Sequence, residues 1–311
     1  MVYILCACNN TPPAQKKTIS FSGAFALYPL MQKWAQEYNK LHPGINFNIQ
    51  AGGAGKGLTD VLSGAVDVGM FSREITDEEI NKGIWWIVLC KEAVVPVINA
   101  KNPYRDMLLQ KGLKKEDFKH IFVDHTPATW NSLLNISGNK QDSISVYTRA
   151  DVAGSAESWA AWFGMKQVNL TGKKIEGDSL LTEMVKNDPG AMAYSNSVFV
   201  FDHYSGEKYP GIEVVPIDVN GNNKLDEEEN FYKDLSTFLE AVHNGNFPSP
   251  PARDLYFITS KRPIDHELLD FFEWVLTDGQ KFLSTSGYVP LKPALLKDQV
   301  RKVSPIGDYE H

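Results

Sequence analysis

The sequence holds few cysteines, no long run of basic residues and no apolar stretch long enough to span a bilayer, and each shortage closes off a class of protein. Of three cysteines, Cys6 and Cys8 stand at the extreme N-terminus and only Cys90 lies in the body, among apolar neighbours, so no disulfide framework can organise the fold. Neither a second Cys pair nor a nearby His completes a zinc set with Cys6 and Cys8. A net charge of −7 and the scattered lysines and arginines exclude the electrostatic footprint of a nucleic-acid binder. A membrane-spanning helix needs about 20 consecutive apolar residues, and none is found. Nor is catalytic apparatus visible. The seven histidines form no HExxH pair, and no Ser or Cys elbow proposes a nucleophile. Gly52-Gly53-Ala54-Gly55-Lys56-Gly57 invites comparison with a phosphate-cradling P-loop, but that pattern needs Gly where Gln50 stands and Ser or Thr where Gly57 stands.

What is present is an ordinary globular composition, 43% hydrophobic and 22% charged over 311 residues, enough chain for two lobes. Ile45, Phe47 and Ile49 alternate as a half-buried strand, and Leu27, Leu30, Met31, Trp34, Ala35 and Tyr38 fall on one face of a helix with Pro29 in its first turn. Val66 to Ser72 and Leu255 to Thr259 read as strands. Trp85 to Leu89 and Ala93 to Ile98 are apolar runs split by Lys91-Glu92, and suit strands buried on both faces. Polar shifts at Asn99 to Pro103 and at Pro248 to Pro251 mark passages between lobes.

The centre of interest is Ser145 to Phe163. Alternation through Val146 predicts a strand, Ala153-Gly154-Ser155 a turn, and Trp159, Trp162 and Phe163 a helix. Arg149 therefore falls between a strand end and a helix start. Free amides and the helix dipole make such a start an anion site, and a guanidinium adds a fork that matches an oxyanion. A surface ion pair is the other reading of an arginine in that position.

Two further stretches carry chemistry. In the loop 218–229, Asp218, Asn220, Asn222, Asp226 and Glu229 place oxygens at positions one, three, five, nine and twelve, with the carbonyl of Lys224 at seven, as in an EF-hand calcium loop. Asn223 replaces the usual Gly, and Asn tolerates the left-handed conformation required there. One structural Ca2+ is expected, with a plain solvated loop as the alternative. At the N-terminus, Leu5-Cys6-Ala7-Cys8 resembles the lipobox of bacterial lipoproteins, with Cys8 as the lipid attachment site and a polar, Pro-containing tether after it. A frayed terminus is the alternative there. The chain then divides into a lipoprotein signal remnant and tether at 1–16, lobe one at 17–98 plus 255–311, and lobe two at 99–254.

Several segments together resemble one family, the phosphate-binding receptors of bacterial ABC transporters within the type 2 periplasmic binding proteins. They are Gly23 to Pro29 leading into Trp34, Gly52 to Gly57 with Asp67-Val68-Gly69, and Arg149-Ala150-Asp151-Val152-Ala153-Gly154-Ser155. Pro189-Gly190-Ala191 with Tyr194 and Gly279-Gln280 with Gly287 to Leu291 complete the set, in the family's order, across nearly all of Ile19 to Leu296. The resemblance implies an α/β, two-lobed periplasmic binding protein fold of type 2 with two crossover strands. It implies a non-enzymatic solute receptor of the bacterial envelope that holds one oxyanion, phosphate, between its lobes for a membrane ABC permease. Anchoring through lipid, a monomeric state and no cofactor for chemistry are expected. Carried over by position, the ligand contacts are Phe25, Ala26, Ala54, Ser72, Arg149, Ala153, Gly154 and Ser155.

The departures are as informative. Hydroxyl residues usual in the family are replaced at Phe25, Ala54 and Ala153, and the carboxylate that accepts the proton of hydrogen phosphate is replaced by Ser72. Each hydrogen bond to a charged group contributes roughly 1.5–3 kcal/mol, so losing two weakens binding by about two to four orders of magnitude unless donors such as Ser22, Arg73 or Ser158 compensate. The expectation is a weaker oxyanion site, less strict about protonation. A receptor fold that has lost its ligand and serves as a surface sensor or adhesion component is the alternative, and a hydrolase is disfavoured.

Overall fold

In the computed structural model, residues 16–126, 128–137 and 142–304 are described. Among them are the strands β1 (Lys17–Gly23), β2 (Ile45–Ala51), β3 (Val68–Phe71), β4 (Trp85–Asn99), β5 (Ser145–Arg149), β6 (Lys173–Ile175), β7 (Ala191–Asn196), β8 (Ile212–Val214) and β9 (Ala252–Thr259). They form one path in the order β2-β1-β3-β9-β4-β7-β5-β6, with β8 beside β4. At one end β1 runs parallel to β2 and β3, at the other β5 runs parallel to β6 and β7, and antiparallel β9 and β4 join the two ends. Helices between parallel strands cover the faces of each end, as a parallel sheet requires.

The architecture is that of two α/β lobes joined by two crossover strands. Each lobe has its own core. One gathers Ile19, Phe21, Trp34, Met70, Phe257 and Phe271, and the other gathers Val95, Phe118, Phe122, Trp159, Tyr194 and Phe238. Helix Tyr28–Leu41 buries Leu30, Met31, Trp34, Ala35 and Tyr38 against the first, and the Trp34 indole donates to the Gly279 carbonyl at 2.9 Å.

The handover between cores falls inside β4 and β9. Cys90 and Leu255 belong to the first core, Ala93 and Ala252 to the second. Ala93 to Ile98, expected in lobe one, therefore packs into lobe two. The break in hydropathy at Lys91-Glu92 falls at that point, whereas the polar shift from Asn99, expected as the boundary, lies at the end of the same strand. The charged pair Lys91-Glu92, which looked like a break between two runs, is instead an ion-pair rung. Lys91 reaches Asp254 at 2.5 Å, and Glu92 pairs with Arg253 directly across the strands. Glu92 is fully buried, and burial, against the pull of Arg253, pushes its carboxyl up to about 7. Trp85 stacks on Phe272, with ring centroids 6.3 Å apart. Helix Leu235–Asn244 begins where Asp234 caps it by accepting from Thr237 at 2.9 Å, while Phe231 and Tyr232 enter the core from the preceding turn.

Candidate functional site

The carboxyl ends of β1, β2, β3 and β5 meet where the lobes face each other, and most hand over at once to a helical turn. The turn Phe25–Leu27 follows β1, helix Ala54–Leu62 follows β2, helix Gly154–Trp162 follows β5, and helix Asp178–Asn187 follows β6. Ligands of open α/β sheets bind at such strand ends. The first backbone bond closing helix Gly154–Trp162 runs from Glu157 to Ala153, so the amides of Gly154, Ser155 and Ala156 have no acceptor within the helix. The same holds for Ala54, Gly55 and Lys56, since the bond from Gly57 to Gly53 is the first of its helix.

Between these starts lies a small, tight cavity. Phe25, Ala26, Ala54, Ser72, Arg149, Ala153, Gly154 and Ser155 all line it, joined by Gly53, Asp178 and Asn196. The structure thus brings together every residue carried over from the family pattern.

Arg149 dominates the cavity and is 1% exposed. Its Nε and Nη2 donate to Asp151 at 2.9 and 2.5 Å, and its Nη1 donates to Asp178 at 2.5 Å and to Ser155 Oγ at 3.2 Å. The Phe25 ring faces the guanidinium at 5.2 Å, within range of a cation–π contact. Burial works against the charge, but the two aspartates outweigh it and hold the Arg149 pKa above its ordinary value. Main-chain position is fixed from below, where the Tyr194 hydroxyl accepts from the Arg149 amide at 3.2 Å and bonds Thr148 at 2.6 Å. Burial pushes that Tyr194 hydroxyl up to about 12. Asp151 also accepts from the Gly177 amide at 3.2 Å, tying the turn that presents Asp178 to the arginine.

The lobes are closed on one another. A Cβ placed on Gly154 in lobe two would lie 2.1 Å from Ser72 Oγ and 2.4 Å from the Ser72 carbonyl in lobe one, and a Cβ on Gly53, at φ +86°, would lie 2.5 Å from the Val152 carbonyl. Only glycine allows this approach.

Three residues of the site were not foreseen. Asp178, Asn196 and Gly53 escape sequence reading because nothing in the local pattern shows that an acid at a helix start, or an amide at a strand end, will be buried. Asp178 had one faint signal, its place after Gly177 at the start of an apolar-periodic run. The proposed compensating donors are engaged elsewhere. Ser22 bonds Asp60 at 2.6 Å, Arg73 pairs with Glu79 at 2.6 Å, and Ser158 bonds the Pro251 carbonyl at 3.3 Å.

The loop 218–229 adopts the expected left-handed conformation at Asn223, with φ 66°. Asp218 accepts from the amides of Gly221, Asn222 and Asn223 at 2.8, 3.2 and 2.7 Å. Asn220 and Asn222 turn their amide nitrogens to Asp226 at 3.0 and 2.5 Å, Glu229 accepts from the Asn220 amide at 2.9 Å, and the Lys224 ammonium pairs with Asp226 at 3.0 Å. The side chains named as ligands are thus each other's partners, and among the described residues no group of three or more His, Cys, Asp or Glu is arranged to hold a metal ion. Cys8 lies outside the described residues. Among those that are described, no helix is long and apolar enough to cross a membrane.

Comparison with known proteins agrees with this geometry. The family model of the PBP superfamily domain matches residues 9–278. The chain belongs to that superfamily. It is 24% identical to the phosphate-binding protein PstS of Xylella fastidiosa strain Temecula1, over 94% of this chain and 87% of that one. It is 22% identical to PstS of Bacillus subtilis, over 93% and 90%. Among solved structures, a phosphate ABC transporter substrate-binding protein with bound phosphate from Clostridium perfringens matches with a TM-score of 0.70 at 19% identity, covering 89% of this chain and 100% of that one. An ABC-type phosphate transport receptor from Vibrio cholerae matches at 0.64 and 17%, over 88% and 100%. At such identities the structures establish the fold. The same fold serves the effector-binding domain of a BenM variant, at a TM-score of 0.52, so function has to be argued from the site.

Proposed function

We propose that the protein is an extracytoplasmic solute receptor that captures phosphate between its lobes and delivers it to an ABC permease. The observation that carries this reading is the convergence of a buried arginine and helix starts from both lobes on one small interlobe cavity. A guanidinium supplies charge and the one N–H not engaged by Asp151, Asp178 and Ser155, and free helix amides supply the rest without any hydroxyl at positions 25, 54 or 153. The comparisons point the same way, since the relatives named above are phosphate-binding proteins and the solved structures are named for phosphate ABC transport. The superfamily is one of solute receptors, and we read this chain as a binder without turnover. Native mass spectrometry of freshly purified protein, followed by equilibrium binding of radiolabelled phosphate, tests the reading. Absence of saturable binding would overturn it, as would turnover of phosphate esters for the non-enzymatic part.

Three finer statements belong to the same proposal. The receptor is tethered to the envelope through a lipid on Cys8, as the lipobox-like run before it supports. It works as a monomer, each copy carrying a whole site. The loop 218–229 takes one structural Ca2+ once the Asn220 and Asn222 amides rotate their oxygens inward, an exchange of nearly isosteric atoms.

A further inference from the structure

A receptor for hydrogen phosphate must tell it from sulfate, which has the same shape and charge but no proton. The resemblance places the discriminating carboxylate at position 72, where this chain has serine. In the structure the lobe-one side of the cavity, formed by Phe25, Ala26, Gly53, Ala54 and Ser72, holds no charged group. The lobe-two side does. Asp178 lines the cavity and is 1% exposed. Its Oδ2 takes the Arg149 Nη1 bond at 2.5 Å, and its Oδ1 has only a long contact of 3.4 Å from Ser155 Oγ. A carboxylate offers about four lone-pair positions, so Oδ1 keeps acceptor capacity beside the cavity. The carboxylate also stands at the first turn of helix Asp178–Asn187, where the helix dipole favours negative charge.

We propose that Asp178 is the specificity-determining residue of this site. It accepts a hydrogen bond from the ligand's own hydroxyl, so the cavity takes tetrahedral oxyanions that keep a proton and refuses those that do not. Arg149 already carries two carboxylates, since Asp151 fills its outer edge. One cation against two anions leaves the site with an excess negative charge, and a bare dianion entering it meets Asp178 lone pair to lone pair. An anion with a hydroxyl converts that repulsion into a charge-assisted bond. The selecting carboxylate has thus moved from lobe one to lobe two, and the loss of strictness expected from Ser72 does not follow. This inference rests on the oxyanion-receptor reading above.

The test is competitive titration of the wild-type chain with phosphate, arsenate and sulfate near neutral pH, repeated with Asp178→Asn. The wild type is expected to bind phosphate and arsenate within about tenfold of each other and sulfate at least about 100-fold more weakly. Asp178→Asn, whose amide can donate, is expected to weaken phosphate about ten- to 100-fold while strengthening sulfate, so that the preference narrows from both sides. Wild type that binds sulfate as well as phosphate overturns the inference but leaves the receptor reading standing, whereas wild type that binds none of the three overturns both. A variant that weakens phosphate and sulfate equally makes Asp178 a prop for Arg149 and overturns the selecting role. If Asp178→Asn does not fold, the wild-type ratios together with Asp178→Ser decide in the same way.

Discussion

At the scale of single residues, Arg149 and Gly154 make the site for opposite reasons, one by what it offers and the other by what it leaves out. Arg149 spends most of its donors on Asp151, Asp178 and Ser155, which fixes its plane before any ligand arrives, so little rotamer entropy is lost on binding. Gly154 lets the start of its helix press on Ser72. Adding one methyl forces the Ser72 backbone away, because the clash is with a carbonyl as well as with a hydroxyl. Gly154→Ala is therefore expected to weaken phosphate binding about ten- to 100-fold by holding the lobes apart, at the roughly 1–3 kcal/mol typical of overpacking. Small-angle scattering in saturating phosphate checks it, since the variant should stay more expanded than wild type. Arg149 was legible in the sequence as a guanidinium between a strand and a helix start. Its partner Asp178 was not, because it is 29 residues away in the chain and only the parallel pairing of β5 with β6 brings it near.

At the scale of elements, the crossover strands hold the buried pair of Glu92 and Arg253, and Arg253 reaches on to Asn196 at the cavity wall. Folded protein keeps a proton on Glu92 up to about pH 7, whereas a free glutamate releases it near 4.5. Between those values the folded state binds more protons than the unfolded state, so this group's contribution to stability falls as pH rises through the window. Urea unfolding of wild type and Glu92→Gln at pH 5 and pH 8 tests the sign. The wild type should lose stability relative to the variant on going up in pH, by on the order of a few kcal/mol, and a constant difference would refute the assignment. The element-level reading of the sequence succeeded where periodicity and end signals agree, as in helix Tyr28–Leu41 and strand Ile45–Ala51. It put the lobe boundary at the polar shift after β4 and not at Lys91-Glu92 within it, where one strand passes from the first core to the second. The loop 218–229 carries its own prediction. Calcium added to chelator-treated protein should raise the melting temperature by a few degrees, as about 100-fold excess over Kd contributes roughly 2.7 kcal/mol. An unchanged melting temperature means that the hydrogen bonds within the loop are all it has.

At the scale of the whole molecule, two lobes with separate cores meet across a cavity to which each contributes helix starts, and among the described residues the strands passing between them are β4 and β9. Such a design couples capture to closure. The ligand completes the contact between helix starts that repel each other when the cavity is empty, because each carries the positive end of a dipole. The proposed lipid on Cys8 has its own test at this scale: Cys8→Ser is expected to move the protein from the membrane fraction to the soluble one, with partition as in wild type counting against it. The central claim is that the interlobe cavity is an oxyanion site built on Arg149. Equilibrium dialysis of purified wild type and Arg149→Ala against radiolabelled phosphate tests it most directly. The account predicts saturable binding at one site per chain in the wild type and affinity at least about 100-fold lower in the variant, the loss of the buried positive charge together with the N–H it keeps for the ligand. Wild type without saturable binding, or a variant that binds as tightly as wild type, would contradict it.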